Sequence, residues 1–501
     1  MTTSTTQTQP NPGAESHNYR EMSEKWDLVE TLMGGTRAMR KAKQKYLPQD
    51  DKESDAAYTA RLNRSFLLNG FKRTVNAMTG KVFSKPILLK EDVPTQVQEV
   101  CEDIDREGRK MNLFAEEVFN TAMQYGLSHI LVDMPPSDVP NPTLADDQRQ
   151  KRRPYWVHIK PRQLIGYRSK KVGSLQVLTG IRIREETMEE DGDYGENEVV
   201  RIREITLDKW TTFTMNAEGA WVEEQSGPMT LGYIPLVTFY TKRVNFQLAD
   251  PPLEDLAWIN VAHWQSASDQ RNILHAARVP ILFSSGLGED ADKLIIGPNR
   301  HIQGPEGSDM KYVEHTGAAI DSGRTDLNDL QDNMRLMGLE LLMPMNGGGQ
   351  TATAKSLDYA DMNSPLQFMA LSFQDCLDLC LYYTAKWLRQ EKGGHTKVNT
   401  DFGITLRDAA DVQGLIQARI AGEISRQTFW AELKRRNILS EDFDEATELG
   451  LVEKEEEEDA AKALEIAGAK STQAIKGTGV GNDKVPGGAP GGVPGIGSDV
   501  K

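Results

Sequence analysis

Two long stretches of helical period stand on either side of a short glycine-rich excursion. No other feature of the chain constrains its fold as much. Pro251-Pro252 opens the first stretch, since proline is tolerated in the first turn of a helix. Leu253, Leu256, Asn260, Trp264, Ala267, Arg271, Leu274 and Ala277 then recur at helical spacing, and Pro280 closes the run. Some 27 residues at 1.5 Å each predict a rod of roughly 40 Å. The second stretch runs from about Gly323 to Met343, with Leu327, Leu330, Met334, Met337 and Leu341 on one face, and Pro344 ends it. The segment between them is strand-like at Ile281-Leu282-Phe283, Ile295-Ile296 and Met310 to Val313.

Upstream, the periodicity predicts a helix from Tyr19 to Leu32 and a second carrying the basic run Arg37, Arg40, Lys41, Lys43 and Lys45. The basic run reads first as a solvated face, with contact to DNA or an acidic partner as the other reading. A further helix is predicted from Ala57 to Phe83, and two more over Val97 to Gly108 and Leu113 to Tyr125. From Leu127 the period becomes strand-like. Ile130-Leu131-Val132 is a buried-strand candidate, and Asp138 to Arg153 a polar loop. Strands are predicted at Tyr155 to Ile159, Leu175 to Glu185, Val199 to Leu207, Trp210 to Met215, Trp221 to Glu224 and Leu236 to Tyr240, as an antiparallel meander in an α+β region. Downstream, Asn346-Gly347-Gly348-Gly349 reads as a loop and Ala354 to Gln390 as a helix interrupted at Pro365. Val398 to Leu406 reads as a strand, and residues 408–470 as three helices broken near Gly422 and Asn437. Residues 1–18 and the Gly/Pro-rich residues 471–501 have the composition of disordered tails.

The formal net charge is -16 over 501 residues. That excludes a protein that wraps nucleic acid in basic charge, a mode that needs clustered Lys/Arg, but not one that lets nucleic acid pass without gripping it. Three cysteines, Cys101, Cys376 and Cys380, exclude a disulfide framework. No apolar run approaches the length of a membrane helix, and Met1 to Asn18 lacks the apolar core of a secretory signal. The expectation is a soluble protein made in the cytoplasm. At roughly 100–200 residues per domain the length allows about three or four domains.

Catalytic patterns are few. Gly349 to Ser356 nearly matches the phosphate-binding loop G-x-x-x-x-G-K-[ST], with Ala354 in place of the second glycine. Such a loop must leave a buried strand and enter a helix. Here the preceding segment has helical period and ends in Met343-Pro344, so a flexible loop before a helix start is the better reading. A nucleotide hydrolase built on this loop remains the alternative from a different class, and a non-viral helical scaffold is a third. Cys376 and Cys380 share an apolar helix face without a neighbouring His and read as structural thiols. His263 and His275 are too far apart for one metal, and no H-E-x-x-H or nucleophile elbow occurs. No enzyme, metal or cofactor is expected. Acidic residues are concentrated in two places. Glu441 to Asp459 holds eleven acids against Lys454, and residues 280–322 hold seven acids and three bases.

The order of these parts resembles the portal proteins of tailed bacteriophages over roughly residues 20–470. The texture matches best over 250–390. There, Ala249 to Leu253 opens a long helix and Arg278 to Ile281 ends it, and Gly297-Pro298 precedes a compact segment. Leu327 to Leu342 returns, and Asn346 to Ser356 leads to Ser364-Pro365-Leu366. Gly126 to Pro135 is similar to the same branch. Each feature is unspecific alone, and the resemblance lies in their number and order.

The resemblance implies a portal-like α+β fold: an α/β wing (19–251), a stem of two long helices (252–279 and 323–345) and a small α/β clip (280–322). A tunnel loop (346–355), a kinked helix with a returning wing strand (356–407) and a helical crown (408–470) would follow. It implies a ring, commonly of twelve subunits, at one capsid vertex of the virion, assembled in the host cytoplasm. Double-stranded DNA would pass through it during packaging and ejection. The implied partners are other copies of the chain, the terminase large subunit, a head–tail adaptor, and the major capsid and scaffolding proteins, with no membrane.

By the same resemblance, Asn346, Gly347, Gly348, Gly349, Gln350 and Lys355 would face the DNA channel. Glu289, Asp290, Asp292, Lys293 and Arg300 would dock terminase or adaptor, and Trp264, Arg271, Arg324 and Met334 would belong to the stem. Twelve copies would carry about -190 in total. An acidic channel discourages phosphate from sticking.

Overall fold

The computed structural model describes residues 11–137, 139, 143–278, 281–286, 306–313, 318–340, 364–402, 409–435, 438–439, 443–455, 457–458 and 462. The chain divides into two compact units, Met1–Phe402 and Gly403–Lys501.

The first unit begins with α1 (His17–Met33), whose N-terminus is capped by the Ser16 hydroxyl accepting from the Tyr19 amide. Gly35, at φ +69°, lets the chain turn into α2 (Gly35–Ala42), and a 3-10 turn at Lys43–Lys45 follows. The single helix expected from Ala57 to Phe83 is two, α3 (Asp55–Arg64) and α4 (Gly70–Val82). Asn69 accepts from the Lys72 amide and restarts the helix, so residues 65–69 are non-helical and Phe66 falls out of the apolar stripe onto the surface.

β1 (Leu88–Leu89) and α5 (Thr95–Cys101) come next, α5 ending well before the expected Gly108. α6 (Met111–Tyr125) stops at Gly126, in the left-handed region at φ +92°, and the chain enters β2 (Leu127–Asp133) directly.

Every residue of β2 is buried because both its faces are covered. Ile130 and Val132 face the main helical core with Phe114, Phe119 and Phe373, while Leu131 faces a second core with Ile159, Ile181 and Ile205. A short helix, α7 (Leu144–Arg149), lies in the segment expected to be loop. β3 (Tyr155–Ile159) pairs antiparallel with β2 on one edge.

A five-stranded meander then runs in sequence order: β4 (Leu164–Val172), β5 (Leu175–Asp191), β6 (Gly195–Thr206), β7 (Lys209–Met215) and β8 (Trp221–Pro228). The antiparallel meander is as expected, but β4 was not, and β5 runs six residues past Glu185. β9 (Leu236–Tyr240) leaves this sheet to pair with the other edge of β2. β10 (Arg243–Asn245) and β11 (Leu248–Ala249) form a small ribbon.

The remaining elements are α8 (Glu254–Ala277), β12 (Ile281–Ser285), β13 (Asp309–Val313), α9 (Ala318–Glu340), α10 (Pro365–Trp387) and β14 (Thr396–Lys397). Pro365 does not interrupt a helix there but opens one. Ser364 and Gln367 make a reciprocal capping box with proline in the first turn, and residues 354–363 lie outside the described residues. Of the strand expected at Val398 to Leu406, residues 398–402 are not strand and 403–406 lie outside the described residues; the two residues of β14 just before it pair with β1. Asn399 caps its own chain by accepting from the Asp401 amide and donates to the Lys81 carbonyl, which turns the backbone out of strand geometry. Indole donors pin α10 to β2 and β3: Trp156 Nε1 to Thr384 Oγ1 at 2.8 Å and Trp387 Nε1 to the Val132 carbonyl at 3.0 Å.

The second unit contains α11 (Ala409–Ile420), α12 (Arg426–Arg435) and helical backbone at 445–455. Among the described residues, no helix is long and apolar enough to cross a membrane.

Candidate functional site

α8 and α9 lie antiparallel, as three contacts in opposite sequence order establish. His263 Nε2 meets Gln331 Nε2 at 3.2 Å, Ser266 donates to Asp326 at 2.5 Å, and Gln270 Nε2 donates to the Ile320 carbonyl at 2.8 Å. β12 and β13 form an antiparallel hairpin at the far end, pairing Ile281 with Val313 through Ser285 with Asp309. Gly323 allows the close approach, because a Cβ there would meet the Gln270 amide at under 3.0 Å. The 24 residues of α8 correspond to about 36 Å. α9 begins at Ala318, five residues before the expected Gly323.

The pair is rooted in the body at one end only. Leu256, Ala257, Val261 and Trp264 of α8 and Met334 of α9 belong to the main core. Polar ties reinforce the root. Asn260 is fully buried, and its Oδ1 accepts from the Phe71 amide at 3.0 Å while its Nδ2 donates to the Leu68 carbonyl at 2.9 Å. It therefore serves an otherwise orphan amide in the first turn of α4. The hydroxyls of Ser268 and Ser65 meet at 2.8 Å, and Arg61 bridges Glu53 at 2.7 Å and Asp269 at 3.3 Å. Beyond Gln270, and before Gln331 on the returning helix, the described side chains are exposed or half-buried. The distal parts of both helices thus leave the core with the hairpin between them.

The expected stem residues divide between these two zones. Trp264 is fully buried, its Nε1 without a hydrogen-bond partner among the described residues. Met334 lies against Gly70 where α9 crosses α4. Arg271 is on the exposed half, stacked on Phe66 with the guanidinium 4.1 Å from the ring centroid. Arg324 makes an exposed pair with Asp321 at 3.3 Å, a contact of little net worth. Glu289, Asp290, Asp292, Lys293 and Arg300 lie outside the described residues, as do Asn346, Gly347, Gly348, Gly349, Gln350 and Lys355. The anchoring roles of Asn260 and Arg61 were not visible in the sequence. The signal that bears on them is a polar residue inside an apolar stripe at Asn260.

One arrangement elsewhere has the outline of nucleophilic chemistry. Ser128 Oγ and His158 Nε2 are 2.8 Å apart, and His158 Nδ1 lies 3.4 Å from Glu117. His158 and then Arg109 hold the Glu117 carboxyl down to about 2, and His158 Nδ1 makes no hydrogen bond among the described residues. Ser128 is fully buried, so its hydroxyl cannot be presented to a substrate. Burial also drives His129 on the same strand down to about 3. Cys101 and Cys376 are pushed up to about 12 by burial and Cys380 well above its usual value, so these thiols stay protonated at neutral pH. Among the described residues, no cluster of His, Cys, Asp or Glu could hold a metal ion.

Residues 252–388 match the model of a family described as a domain of unknown function, DUF4055. That stretch contains both long helices, the excursion between them and α10. No curated protein matches the chain. Among solved structures, the chain is similar to the neck of a native gene transfer agent particle computed with C12 symmetry. The identity is 12%, the TM-score 0.38, and the match covers 72% of this chain and 88% of that one. It is similar to a chain of the virion of the native particle at 11% identity and TM-score 0.38, covering 72% and 88%. It is also similar to the neck of the empty particle computed with C6 symmetry at 12% identity and TM-score 0.40, covering 72% and 89%.

Proposed function

We propose that the chain is a structural subunit of a portal-type ring, a head-to-tail connector at one vertex of a phage or phage-like particle. The observation that carries this reading is the antiparallel pair α8 and α9. It is rooted in the body at one end and bears a β-hairpin at the other, in the order of parts that the portal resemblance requires. In this reading the helix pair is the stem, the hairpin belongs to the clip that docks the packaging motor and later the adaptor, and residues 346–355 reach toward DNA in the channel. The exposed apolar residues support association between copies. Trp258 on α8 and Phe368 on α10 are each 53% exposed, and Leu336, Leu339, Leu371, Leu379 and Tyr382 add to the same kind of surface. A ring buries such faces against different faces of the next subunit.

The test is the mass of the purified protein by light scattering, together with imaging for a ring with a central hole. A mass several-fold above the 55.9 kDa of one chain, with rings in the images, is the expected result. A monomer at micromolar concentration across salt conditions would remove the proposal.

A further inference from the structure

The acidic chain has two strongly basic stretches, and the second, residues 151–184, holds ten Lys/Arg and no Asp/Glu and supplies two of the three control lysines below; the first carries the inference. Residues 31–90 hold thirteen Lys/Arg against four Asp/Glu, a net +9, so that the rest of the chain, from a total of -16, carries -25. Three hydrogen bonds bring part of this first stretch together. Arg40 donates to the Ser65 carbonyl at 2.7 Å, the Leu67 amide donates to Thr36 Oγ1 at 3.1 Å, and Lys72 Nζ donates to the Met33 carbonyl at 3.1 Å. These bonds lay α2 beside residues 65–69 and the start of α4.

Arg37 and Lys41, one turn apart on α2, are exposed, as are Lys43 in the following turn and Lys72 and Arg73 on α4. Neither helix contains an acid. The nearest acids of α1 are already engaged, Asp27 by Lys45 and Arg162 and Glu30 by Arg162. Glu53 is taken by Arg61. Arg37, Lys41, Lys43 and Arg73 are exposed and form no ion pair among the described residues.

We propose that α2, the turn after it and the first turn of α4 form a contact site for the phosphate backbone of duplex DNA, read without regard to base sequence. The site is separate from residues 346–355 and does not rest on the ring reading. The choice of phosphate over an acidic protein follows from what the surface lacks. Stable protein interfaces have an apolar centre. Here Phe71, Val75, Met78 and Val82 of α4 and Met39 of α2 are all buried, and one face of the nearby, partly exposed Phe66 ring is taken by the Arg271 guanidinium. Phosphate contacts need only exposed cations and backbone-scale spacing, which is what remains.

The experiment uses the full chain and a fluorescein-labelled duplex of about 30 base pairs, titrated by anisotropy between about 50 and 200 mM salt. Arg37→Gln, Lys41→Gln and Arg73→Gln together should raise Kd at least about tenfold and make the slope of log K against log salt shallower by about 2 to 3. The control replaces three exposed lysines of the meander, Lys170, Lys171 and Lys209, by Gln, and should bind as the parent does. The charge-preserving set Arg37→Lys, Lys41→Arg and Arg73→Lys should retain binding. If the triple Gln variant melts early, the Arg37→Gln, Lys41→Gln pair carries the test with a shallower slope change. Unchanged binding in the Gln variants, or an equal loss in the meander control, would overturn the assignment. So would competition by poly-glutamate of equal charge as effective as that of the duplex, which would make the surface a site for an acidic protein segment.

Discussion

Replacing Asn260 by Ala tests how the helix pair is held to the body. The change removes two hydrogen bonds from a fully buried position. The Phe71 amide loses its acceptor and is left buried without one, which costs about 1–3 kcal/mol. The Leu68 carbonyl also accepts from the Gly70 amide at 3.0 Å, so its loss is the smaller one, about 1 kcal/mol. The sum of about 2–4 kcal/mol should appear locally, as amide hydrogen exchange in the first turn of α4 and the facing turn of α8 that is about 30- to 1000-fold faster. Asn69→Ala removes the other cap of the same turn at about 1 kcal/mol. Because both changes strip one helix end, their effects should combine non-additively. Exchange at α4 unchanged in Asn260→Ala, with an unchanged melting temperature, would refute the reasoning that this side chain anchors α8.

Gly126→Ala should cost more than about 3 kcal/mol, because the residue has φ +92° and a Cβ would lie under 3.0 Å from the Asp250 carbonyl. Soluble yield and melting temperature check it, and a parent-like melt would contradict the geometry. A pH dependence follows from His129. Its folded value of about 3 lies below the ordinary 6.5, so the unfolded chain binds a proton that the folded chain refuses. The stability from the neutral ring is complete above 6.5 and is lost as pH falls toward 3, by about 2 kcal/mol between 6.5 and 4.5. His263, also lowered by burial, acts in the same direction, while Glu117 contributes only below its ordinary 4.5. Denaturant titrations at pH 6.5 and 4.5 should therefore show a decline that His129→Asn, able to keep the bond to Thr238, reduces.

The sequence by itself determined the elements whose signal is local. The stripe from Leu253 to Ala277 became α8, and Ile130-Leu131-Val132 became the centre of β2, because burial on one or both faces imposes a period that residues 3–4 or 2 apart record. The antiparallel meander was legible from its turns. The break between α3 and α4 was not, because an apolar stripe running through Phe66 looks continuous until Asn69 is seen to cap a new helix. Pro365 looked like an interruption because proline's meaning depends on whether the backbone before it is helical, and a capping box at Ser364 reverses that meaning.

For the candidate site, the sequence determined that Trp264 and Met334 lie on apolar faces. Only the tertiary structure decided that Asn260 is an anchor, that Arg271 stacks on Phe66, and that Arg37, Lys41 and Arg73 are exposed with no ion pair among the described residues. Those facts depend on contacts between residues far apart in the chain, where spacing along the sequence carries no record of distance in space.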